Sequence, residues 1–240
     1  MLLSIIIPTY NSENFIGKTL NSIKIQGFSR KDLEVIIVDG LSSDDTVEIS
    51  KSYGDLITTI IQEKDSGIYD AMNKGILAAT GKYCYFIGAG DTLIDNSIAR
   101  ILPELDKFNG LIYGNVIRTK SGQVYDGKFN FLKLLRRNIC HQAIFYPAKA
   151  LKKHKYDLKY RVLADYHLNL ILFAEKNLPR KFINVNVAFY DDQSQGFSST
   201  QIDQAFLNDY ESIIESNYTL KFRLLFKALM LSRKIKKALK

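Results

Sequence analysis

Three short apolar runs in the first hundred positions each end abruptly in small or polar residues. They span residues 4–11 (SIIIPTYN), 34–40 (EVIIVDG) and 83–91 (YCYFIGAGD). Runs of this length, rich in Ile, Val and aromatic residues, are typical of strands buried on both faces of a parallel sheet. Ligands of open α/β sheets bind outside the carboxyl ends of the strands. We therefore expect a binding site at the rim where these three runs end.

Helical patterns separate the apolar runs. Apolar residues at helical spacing follow the first run over residues 12–23, and capping residues and early acids follow the second over residues 42–49. A further strand is predicted over residues 56–61, followed by a helix from residue 68 that ends before Gly81. This alternation predicts an α/β fold with a parallel, doubly wound sheet.

The second half of the chain is less regular, and its elements are predicted one by one. We expect strands at residues 111–117, 123–125, 143–146 and 181–188, helices at 129–137, 164–175 and from 201 onward, and a Gly/Ser-rich loop at 191–200. The pattern contains no internal repeat and no low-complexity linker. The sequence thus predicts one domain over residues 1–218, with a rim-bearing half at 1–92 and a second half at 93–218, and a helical tail at 219–240.

Charge is concentrated in the tail. The chain of 240 residues has a net charge of +8, and residues 221–240 contain eight basic residues and no acidic ones. The remaining 220 residues are balanced, with 25 basic and 25 acidic side chains. A neutral body argues against a nucleic-acid-binding protein.

The cysteines and the apolar segments indicate the cellular compartment of the protein. Cys84 and Cys140 suggest no disulfide framework and no metal-ligand spacing, which favours a reducing compartment. The start of the chain lacks a basic region and a small-residue cleavage site, so it is interpreted as a strand and not as a signal peptide. No stretch reaches the ~18 apolar residues that a membrane-spanning helix needs. We expect a cytoplasmic protein.

The tail, residues 219–240, is predicted to be a basic amphipathic helix. Its apolar stripe consists of Leu224, Leu225, Ala228, Leu231, Ile235 and Leu239, whereas Phe222, Phe226 and Leu229 stray from it. Such a helix can lie on an anionic bilayer at the inner face of the cell membrane, each basic residue contributing about 1 kcal/mol. On that interpretation, deleting residues 221–240 releases the protein from membranes and leaves nucleotide binding intact. The alternative is a helix packed on the domain with a solvated basic face.

The first two strand ends offer candidate binding residues. Pro8 ends the first strand, and Thr9, Tyr10 and Asn11 follow it with a hydroxyl, an aromatic face and exposed amides that can hold a heterocyclic base. Asp39 ends the second strand and could accept hydrogen bonds from a base imide or a ribose hydroxyl. Both segments could equally be a turn and a helix cap.

A dense polar segment begins the helix after residue 67. Asp65, Gly67, Asp70, Asn73 and Lys74 lie within ten positions, and helix N-terminal amides together with a lysine can hold a pyrophosphate. The alternative is a charged, solvated helix face.

Three further positions are candidates for chemistry. Asp91 ends the third run between small residues and could hold a divalent ion that bridges two phosphates, or belong to a plain turn. Asp165 opens a helix and could act as a general base or as its cap. His141 and Gln142 precede a short strand, where a phosphate or acceptor contact competes with a purely structural role.

Read together, four blocks and two shorter segments resemble the family 2 glycosyltransferases, inverting enzymes that use nucleotide sugars. The blocks are residues 4–11, 34–46, 65–75 and 81–91, and more loosely His141-Gln142 with Ala164-Asp165-Tyr166. The resemblance implies a GT-A fold, with a Rossmann-like, mostly parallel sheet flanked by helices. The block at 65–75 is similar to the branch that assembles bacterial surface polysaccharides such as O-antigen and exopolysaccharide.

The resemblance also implies roles for the candidate residues. Thr9, Tyr10 and Asp39 would hold the base, usually uracil, and Asp65, Asn73 and Lys74 would line the nucleotide and sugar site. Asp165 would deprotonate the acceptor hydroxyl, which attacks the anomeric carbon with inversion. The acceptor would be a lipid-linked or polysaccharide sugar, and residues 191–200 and the His141 region would select it.

The implied metal site departs from the family pattern. The family has an Asp-x-Asp-Asp-like string at the end of this strand, and the chain has Gly88, Ala89, Gly90 and Asp91 there. Asp91 would therefore be the carboxylate near a Mn²⁺ or Mg²⁺ ion that is held mainly by the donor pyrophosphate and water. Two other interpretations stay open: a catalytically inactive nucleotide-sugar-binding or membrane-scaffold protein, and a sugar nucleotidyltransferase of related fold.

Overall fold

The computed structural model describes residues 1–29, 31–191 and 201–238, with side chains described up to residue 232. The strands are β1 (Leu3–Thr9), β2 (Leu33–Asp39), β3 (Thr59–Gln62), β4 (Tyr83–Phe86), β5 (Thr92–Leu93), β6 (Leu111–Arg118), β7 (Val124–Tyr125), β8 (Ile144–Pro147) and β9 (Arg180–Tyr190). The helices are α1 (Glu13–Lys24), α2 (Thr46–Ser52), α3 (Ile68–Ala78), α4 (Ser97–Lys107), α5 (Phe131–Leu134), α6 (Ala148–His154), α7 (Ala164–Ala174), α8 (Gln204–Asn217) and α9 (Leu220–Ala238).

The first half of the chain forms the parallel part of one sheet. Strands β3, β2, β1 and β4 lie in that order and run parallel. Strands β1 and β2 are buried over their full length because helices cover both faces, with α1 and α4 on one face and α3 and α7 on the other. The register pairs Thr9 with Asp39, so the first two strand ends lie side by side, as the sequence predicts.

The second half extends the same sheet with mixed strand directions. Strand β8 runs antiparallel to β4 and β6, β9 runs parallel to β6, and β5 and β7 pair antiparallel with β9 and β6. The predicted α/β class is confirmed, and the parallel order applies to the first half. Periodicity could not reveal the mixed directions, because strands of two to four residues carry no directional signal in sequence.

Several predicted boundaries differ from the structure. The strand expected at residues 56–61 starts at Thr59, because Gly54–Leu56 forms a 3-10 turn that Gly54 begins with a φ of 53°. The helix expected at residues 129–137 is confined to Phe131–Leu134, where the Asn130 side chain accepts a hydrogen bond from the Lys133 amide and fixes its start. Residues 192–200 of the predicted loop lie outside the described residues.

Helix α9 is anchored to the domain by aromatic residues outside its predicted stripe. Phe226 is 2% exposed, and its ring lies 5.7 Å from that of Tyr210 in α8. The Phe222 ring lies 4.6 Å from that of Phe131 in α5. Removing residues 221–240 would therefore remove core contacts, so truncation is a poorer test of membrane binding than the sequence suggests.

The predicted stripe of α9 faces away from the domain. Its members Leu224, Leu225 and Leu231 are 59%, 38% and 60% exposed. Ile235 and Leu239, which complete the stripe in the sequence, lie outside the described side chains. No helix within the described ranges is both long and apolar enough to cross a bilayer.

Candidate active site

Asp39 fastens the first two strand ends together. Its buried carboxylate accepts hydrogen bonds from the Thr9 hydroxyl at 3.0 Å and from the Ser42 hydroxyl at 2.6 Å. The Ser42 amide donates to its other oxygen at 2.8 Å. The sequence predicts Ser42 only as a capping residue of the following helix. In the structure it is the second hydrogen-bond partner of Asp39.

Tyr10 and Asp65 both lie close to Gly40. A Cβ at Gly40 would lie 2.5 Å from Asp65 Oδ2 and 3.4 Å from Tyr10 Cδ2, so a side chain there would displace the Asp65 carboxylate from its present position. Tyr10 is 64% exposed, whereas Pro8 is buried within β1. The exposed aromatic ring can stack on a planar ring of a ligand. The adjacent carboxylate can accept a hydrogen bond from that ligand.

Asn11 holds the turn after β1 against the turn after β2. Its φ of 46° is left-handed, a conformation that asparagine tolerates better than most residues. The Asn11 side-chain oxygen accepts from the Ser43 amide at 2.9 Å, and its own amide donates to the Ser42 hydroxyl at 2.8 Å. These bonds fix the backbone that presents Tyr10.

The start of α3 is shaped by Gly67 and two carboxylates. Gly67 has a φ of 133°, and its amide donates to Asp65 Oδ1 at 3.0 Å. Asp70 accepts from the Ser66 amide at 2.9 Å, an acidic contact that stabilises a helix N-terminus. Asp70 therefore acts on the helix start, although the sequence also suggests it for the nucleotide site.

Asn73 and Lys74 are engaged with the protein itself. Both polar groups of the Asn73 side chain bond the backbone of Tyr156, each at 2.9 Å. Lys74 donates to the Lys64 carbonyl at 2.6 Å and lies 3.6 Å from the Glu63 carboxylate. The direct contacts of Asn73 and Lys74 with a nucleotide or a sugar stay predictions.

The predicted third run ends as a strand at Phe86, and Asp91 is buried in the loop between β4 and β5 with a partner for each oxygen. Gln142 donates to Oδ2 at 2.6 Å, and the Asp191 amide donates to Oδ1 at 3.0 Å. Burial raises the pKa of the Asp91 carboxyl, and these two hydrogen bonds act in the opposite direction.

Asp165 occupies the first turn of α7 and is surrounded by polar groups. Asn138 donates to its Oδ2 at 2.8 Å, and His141 Nδ1 lies 3.7 Å from the same oxygen. The Tyr69 hydroxyl lies 3.2 Å from Oδ1 and 2.8 Å from the Val162 carbonyl, so one proton is shared between two acceptors. Burial raises the pKa of Tyr69, and the charge of Asp165 acts in the same direction, so this hydroxyl remains a donor.

A buried amide chain behind Asp165 was not predicted from the sequence. Asn169 donates to the Asn138 side-chain oxygen at 2.8 Å, and the Tyr146 hydroxyl donates to the Asn169 oxygen at 2.9 Å. Asn169 and Tyr146 are fully buried. An Asn at position 169 within an apolar helical run is the signal in the sequence that marks this chain.

Two adjacent residues join the separate parts of the site. His141 approaches Asp165, and Gln142 bonds Asp91, so these two carboxylates lie on either side of one dipeptide. Tyr69 joins Asp165 to the first turn of α3, next to Gly67. The predicted base side, phosphate side and carboxylate from the second half of the chain thus belong to one connected site.

A divalent cation at this rim would find few protein ligands. Within the described ranges no group of three His, Cys, Asp or Glu side chains could hold a metal ion. Each Asp91 oxygen retains a lone pair beyond its one hydrogen bond, and Mg²⁺ commonly takes one or two carboxylates together with phosphate oxygens and water. The residues fit an ion held chiefly by a bound diphosphate.

Relatives share much of the chain's length. A PGL/p-HBAD biosynthesis glycosyltransferase of Mycobacterium bovis is 37% identical over 214 residues, which cover 86% of this chain and 82% of the relative. The uncharacterized glycosyltransferase RP339 of Rickettsia prowazekii is 35% identical over 129 residues, which cover 52% of this chain and 40% of the relative.

Solved structures share the fold at low sequence identity. S. aureus TarS 1-349 in complex with UDP-GlcNAc has a TM-score of 0.73 and 18% identity, and the match covers 89% of this chain and 64% of that one. The mannosyltransferase PcManGT from Pyrobaculum calidifontis in complex with GDP-Man and Mn²⁺ has a TM-score of 0.64 and 17% identity, covering 99% of this chain and 80% of that one.

The family assignment rests on the sequence. The model of the family described as glycosyl transferase family 2 matches residues 4–163. That span is most of the chain and contains the three strand ends, the start of α3 and the His141-Gln142 dipeptide. The chain belongs to glycosyl transferase family 2 and is a glycosyltransferase with a GT-A fold.

Proposed function

We propose that this glycosyltransferase moves one sugar from a uridine diphosphate sugar to a hydroxyl of a lipid-linked or polysaccharide acceptor, with inversion, in bacterial surface glycan synthesis. The observation that carries the proposal is the position of Asp165. It is a carboxylate from the second half of the chain, joined to the start of α3 by Tyr69 and to Asp91 by His141-Gln142.

The donor nucleotide binds at the first two strand ends. The Tyr10 ring stacks on the base, and Asp65 or the Thr9–Asp39–Ser42 cluster accepts hydrogen bonds from the base or the ribose. The diphosphate lies toward the start of α3 and Asp91, where helix amides favour negative charge. Binding of UDP-GlcNAc by the TarS structure of the same fold supports a nucleotide-sugar donor.

Asp165 acts as the general base. It accepts the proton of the acceptor hydroxyl as that oxygen attacks the anomeric carbon, and the bond from this carbon to the diphosphate oxygen breaks. The nucleoside diphosphate leaves from the opposite face, which inverts the configuration. His141 lies beside Asp165, and its neighbour Gln142 reaches Asp91, so an acceptor or a phosphate between the two carboxylates could contact His141.

A Mn²⁺ or Mg²⁺ ion would be held by Asp91 and the donor diphosphate. When bound, such an ion would supply positive charge to offset the charge that develops on the leaving diphosphate. The PcManGT structure, which contains Mn²⁺ with GDP-Man, supports a divalent ion in this fold.

The acceptor class and the location at the inner face of the membrane rest on two observations. The Mycobacterium bovis relative is named as a PGL/p-HBAD biosynthesis glycosyltransferase. Helix α9 exposes a groove lined by Leu220, Leu224, Leu225 and Ala228, with Lys221 beside it. An apolar strip flanked by basic residues fits the surface of an anionic bilayer, where a lipid-linked acceptor would be found.

The test compares Asp165→Asn with Asp157→Asn, a change at an exposed position eight residues earlier. A panel of nucleotide sugars, with and without Mn²⁺, is screened by the rise in Tm of the native protein. We expect the wild-type Tm to rise with a uridine diphosphate sugar, and Asp165→Asn to retain that rise while losing transfer.

Three results would contradict the proposal. One is transfer by Asp165→Asn at the wild-type rate, and another is the absence of a Tm shift with every nucleotide sugar. The third is release of pyrophosphate from a nucleoside triphosphate, which would identify a nucleotidyltransferase.

A further inference from the structure

A second concentration of positive charge lies beside the candidate active site. Residues 118–137, here named the basic segment, contain six basic residues and one acidic residue, Asp126. The segment runs from the last residue of β6 through β7 and α5. Because the body of the chain is neutral as a whole, this segment is a local excess of positive charge.

Two arginines of the basic segment share one aromatic ring. The Arg118 guanidinium carbon lies 4.8 Å from the centre of the Tyr125 ring, and that of Arg137 lies 5.8 Å from the same centre. Stacking on an aromatic face holds a guanidinium in place and leaves its N–H donors free for a ligand.

The positive charge at this ring is incompletely neutralised. Asp126 pairs with Arg137 at 2.5 Å and with Lys133 at 3.5 Å. No carboxylate within the described residues lies at ion-pair distance from Arg118. Asp126 thus pairs with two cations, and Arg118 has no carboxylate partner among these residues, so an anion bound here would gain a charge-assisted contact with its guanidinium.

Neighbours of the arginine pair are bonded to both site carboxylates. The Tyr125 hydroxyl donates to the Asn138 carbonyl at 2.6 Å, and the Asn138 side chain donates to Asp165. Arg118 is the register partner of Tyr190, and the next residue, Asp191, bonds Asp91 through its amide.

We infer that Arg118 and Arg137 bind a phosphate or diphosphate group of the acceptor, and this inference rests on the proposed function. In the proposed function the donor diphosphate binds at the start of α3 and near Asp91. A second set of phosphate-binding donors adjoining the general base therefore fits an acceptor that carries its own phosphate, as a saccharide linked to a lipid through phosphate does. Forked guanidinium groups bind phosphate oxygens in pairs, which would orient the acceptor hydroxyl toward Asp165.

The experiment uses farnesyl diphosphate, a short and soluble prenyl diphosphate, as the probe. Its Kd is measured by calorimetry with and without excess UDP, on wild type, Arg118→Gln, Arg137→Gln and the double variant. The control is Arg100→Gln, an exposed arginine of α4 outside the basic segment. We expect the double variant to bind at least about tenfold more weakly and each single variant to be intermediate, with UDP affinity preserved. The control should bind as wild type does.

Four results would overturn the inference. The double variant could retain the wild-type Kd, or UDP could displace farnesyl diphosphate, which would place the probe in the donor site. The double variant could instead lose UDP affinity, which would assign the arginines to the donor. It could also lose binding to vesicles of phosphatidylglycerol and phosphatidylcholine while keeping farnesyl diphosphate, which would assign them to headgroups.

The inference and the proposed function fail in different ways. A wild-type protein that binds a nucleotide sugar but no farnesyl diphosphate contradicts the inference alone. A protein that binds no nucleotide sugar contradicts the proposed function. Arg118→Lys adds a check that does not depend on removing charge, because it keeps the cation, loses the fork and should fall between wild type and Arg118→Gln.

Discussion

The side-chain amide of Asn138 donates a 2.8 Å hydrogen bond to the carboxylate of Asp165. Asn138 is itself held by Asn169, which is held by the buried Tyr146 hydroxyl. Each side-chain amide in this chain accepts a hydrogen bond at its oxygen from the residue behind it and donates one from its nitrogen to the residue ahead. The carboxylate of Asp165 at the end of the chain is therefore fixed in orientation. A general base needs this fixed orientation, and the chain makes Asn138 a positioning residue for the proposed reaction.

Replacing Asn138 tests that positioning. Loss of a hydrogen bond to a charged group costs about 1.5–3 kcal/mol, so Asn138→Ala should lower kcat about 10- to 100-fold and leave the KM for the donor nearly unchanged. Asn138→Asp should move the acidic limb of the pH–rate profile to higher pH, because a second carboxylate raises the pKa of the base. The control is Asn208→Ala on the exposed face of α8. A structural role alone would lower Tm without moving the pH profile.

Asp39 provides a test of the donor site. Asp39→Asn removes an acceptor shared by Thr9 and Ser42, so the affinity for a uridine nucleotide should fall about tenfold. The control is Asp32→Asn, which also removes one negative charge but lies just before the start of β2. It should leave the affinity for the nucleotide unchanged. Calorimetry with UDP measures both variants, and equal affinities would remove Asp39 from the binding site.

Alanine substitutions at two glycines should change stability in opposite directions. A Cβ at Gly75 would lie 2.4 Å from Ile6 Cγ2, where α3 packs on β1, so Gly75→Ala should destabilise the protein by about 1–3 kcal/mol. A Cβ at Gly17 would meet only the Tyr53 hydroxyl at 3.6 Å, so Gly17→Ala within α1 should stabilise it by about 0.5–1 kcal/mol. Urea unfolding measures both, and a neutral Gly75→Ala would contradict this packing.

The two sides of α9 can be separated by substitution. Leu224→Gln with Leu231→Gln alters exposed positions, so it should weaken sedimentation with phosphatidylglycerol-containing vesicles and leave Tm unchanged. Phe226→Ala empties a buried site and should cost about 3–5 kcal/mol of stability. Unaltered sedimentation of the leucine variant would remove the exposed stripe as a membrane contact.

The stability of the folded protein should depend on pH through His167. Burial lowers the pKa of this histidine, whose Nδ1 is buried and has no hydrogen-bond partner in the part of the chain that the structure describes. The unfolded chain therefore binds a proton at a higher pH than the native state, and stability should fall as pH drops through about 6.5 toward the lower native pKa. His167→Gln should lessen that fall between pH 7 and pH 5.5 in urea titrations. An identical pH dependence in wild type and variant would exclude His167 as its source.

Parts of the site could be predicted because they are local in sequence. Thr9 and Asp39 each end an apolar run, and the parallel register brings equivalent strand ends together, so their proximity follows from periodicity alone. Asn138, Asn169 and Tyr69 could not be assigned in this way. Asn138 and Tyr69 contact Asp165 directly, and Asn169 acts through Asn138. These contacts depend on how α3, α7 and the segment before β8 pack, which no spacing rule predicts.

The sequence by itself determined the family, the α/β class and the rim where the first strands end, because buried parallel strands and helix starts leave strong local patterns. The tertiary structure decided which side chains of that rim are already engaged, that Asp91 is held by Gln142 and Asp191, and that the sheet is mixed. It also divided the tail helix into an anchored side at Phe226 and an exposed leucine side. These features arise from contacts between distant segments, and their energies depend on packing and burial that only the folded chain creates.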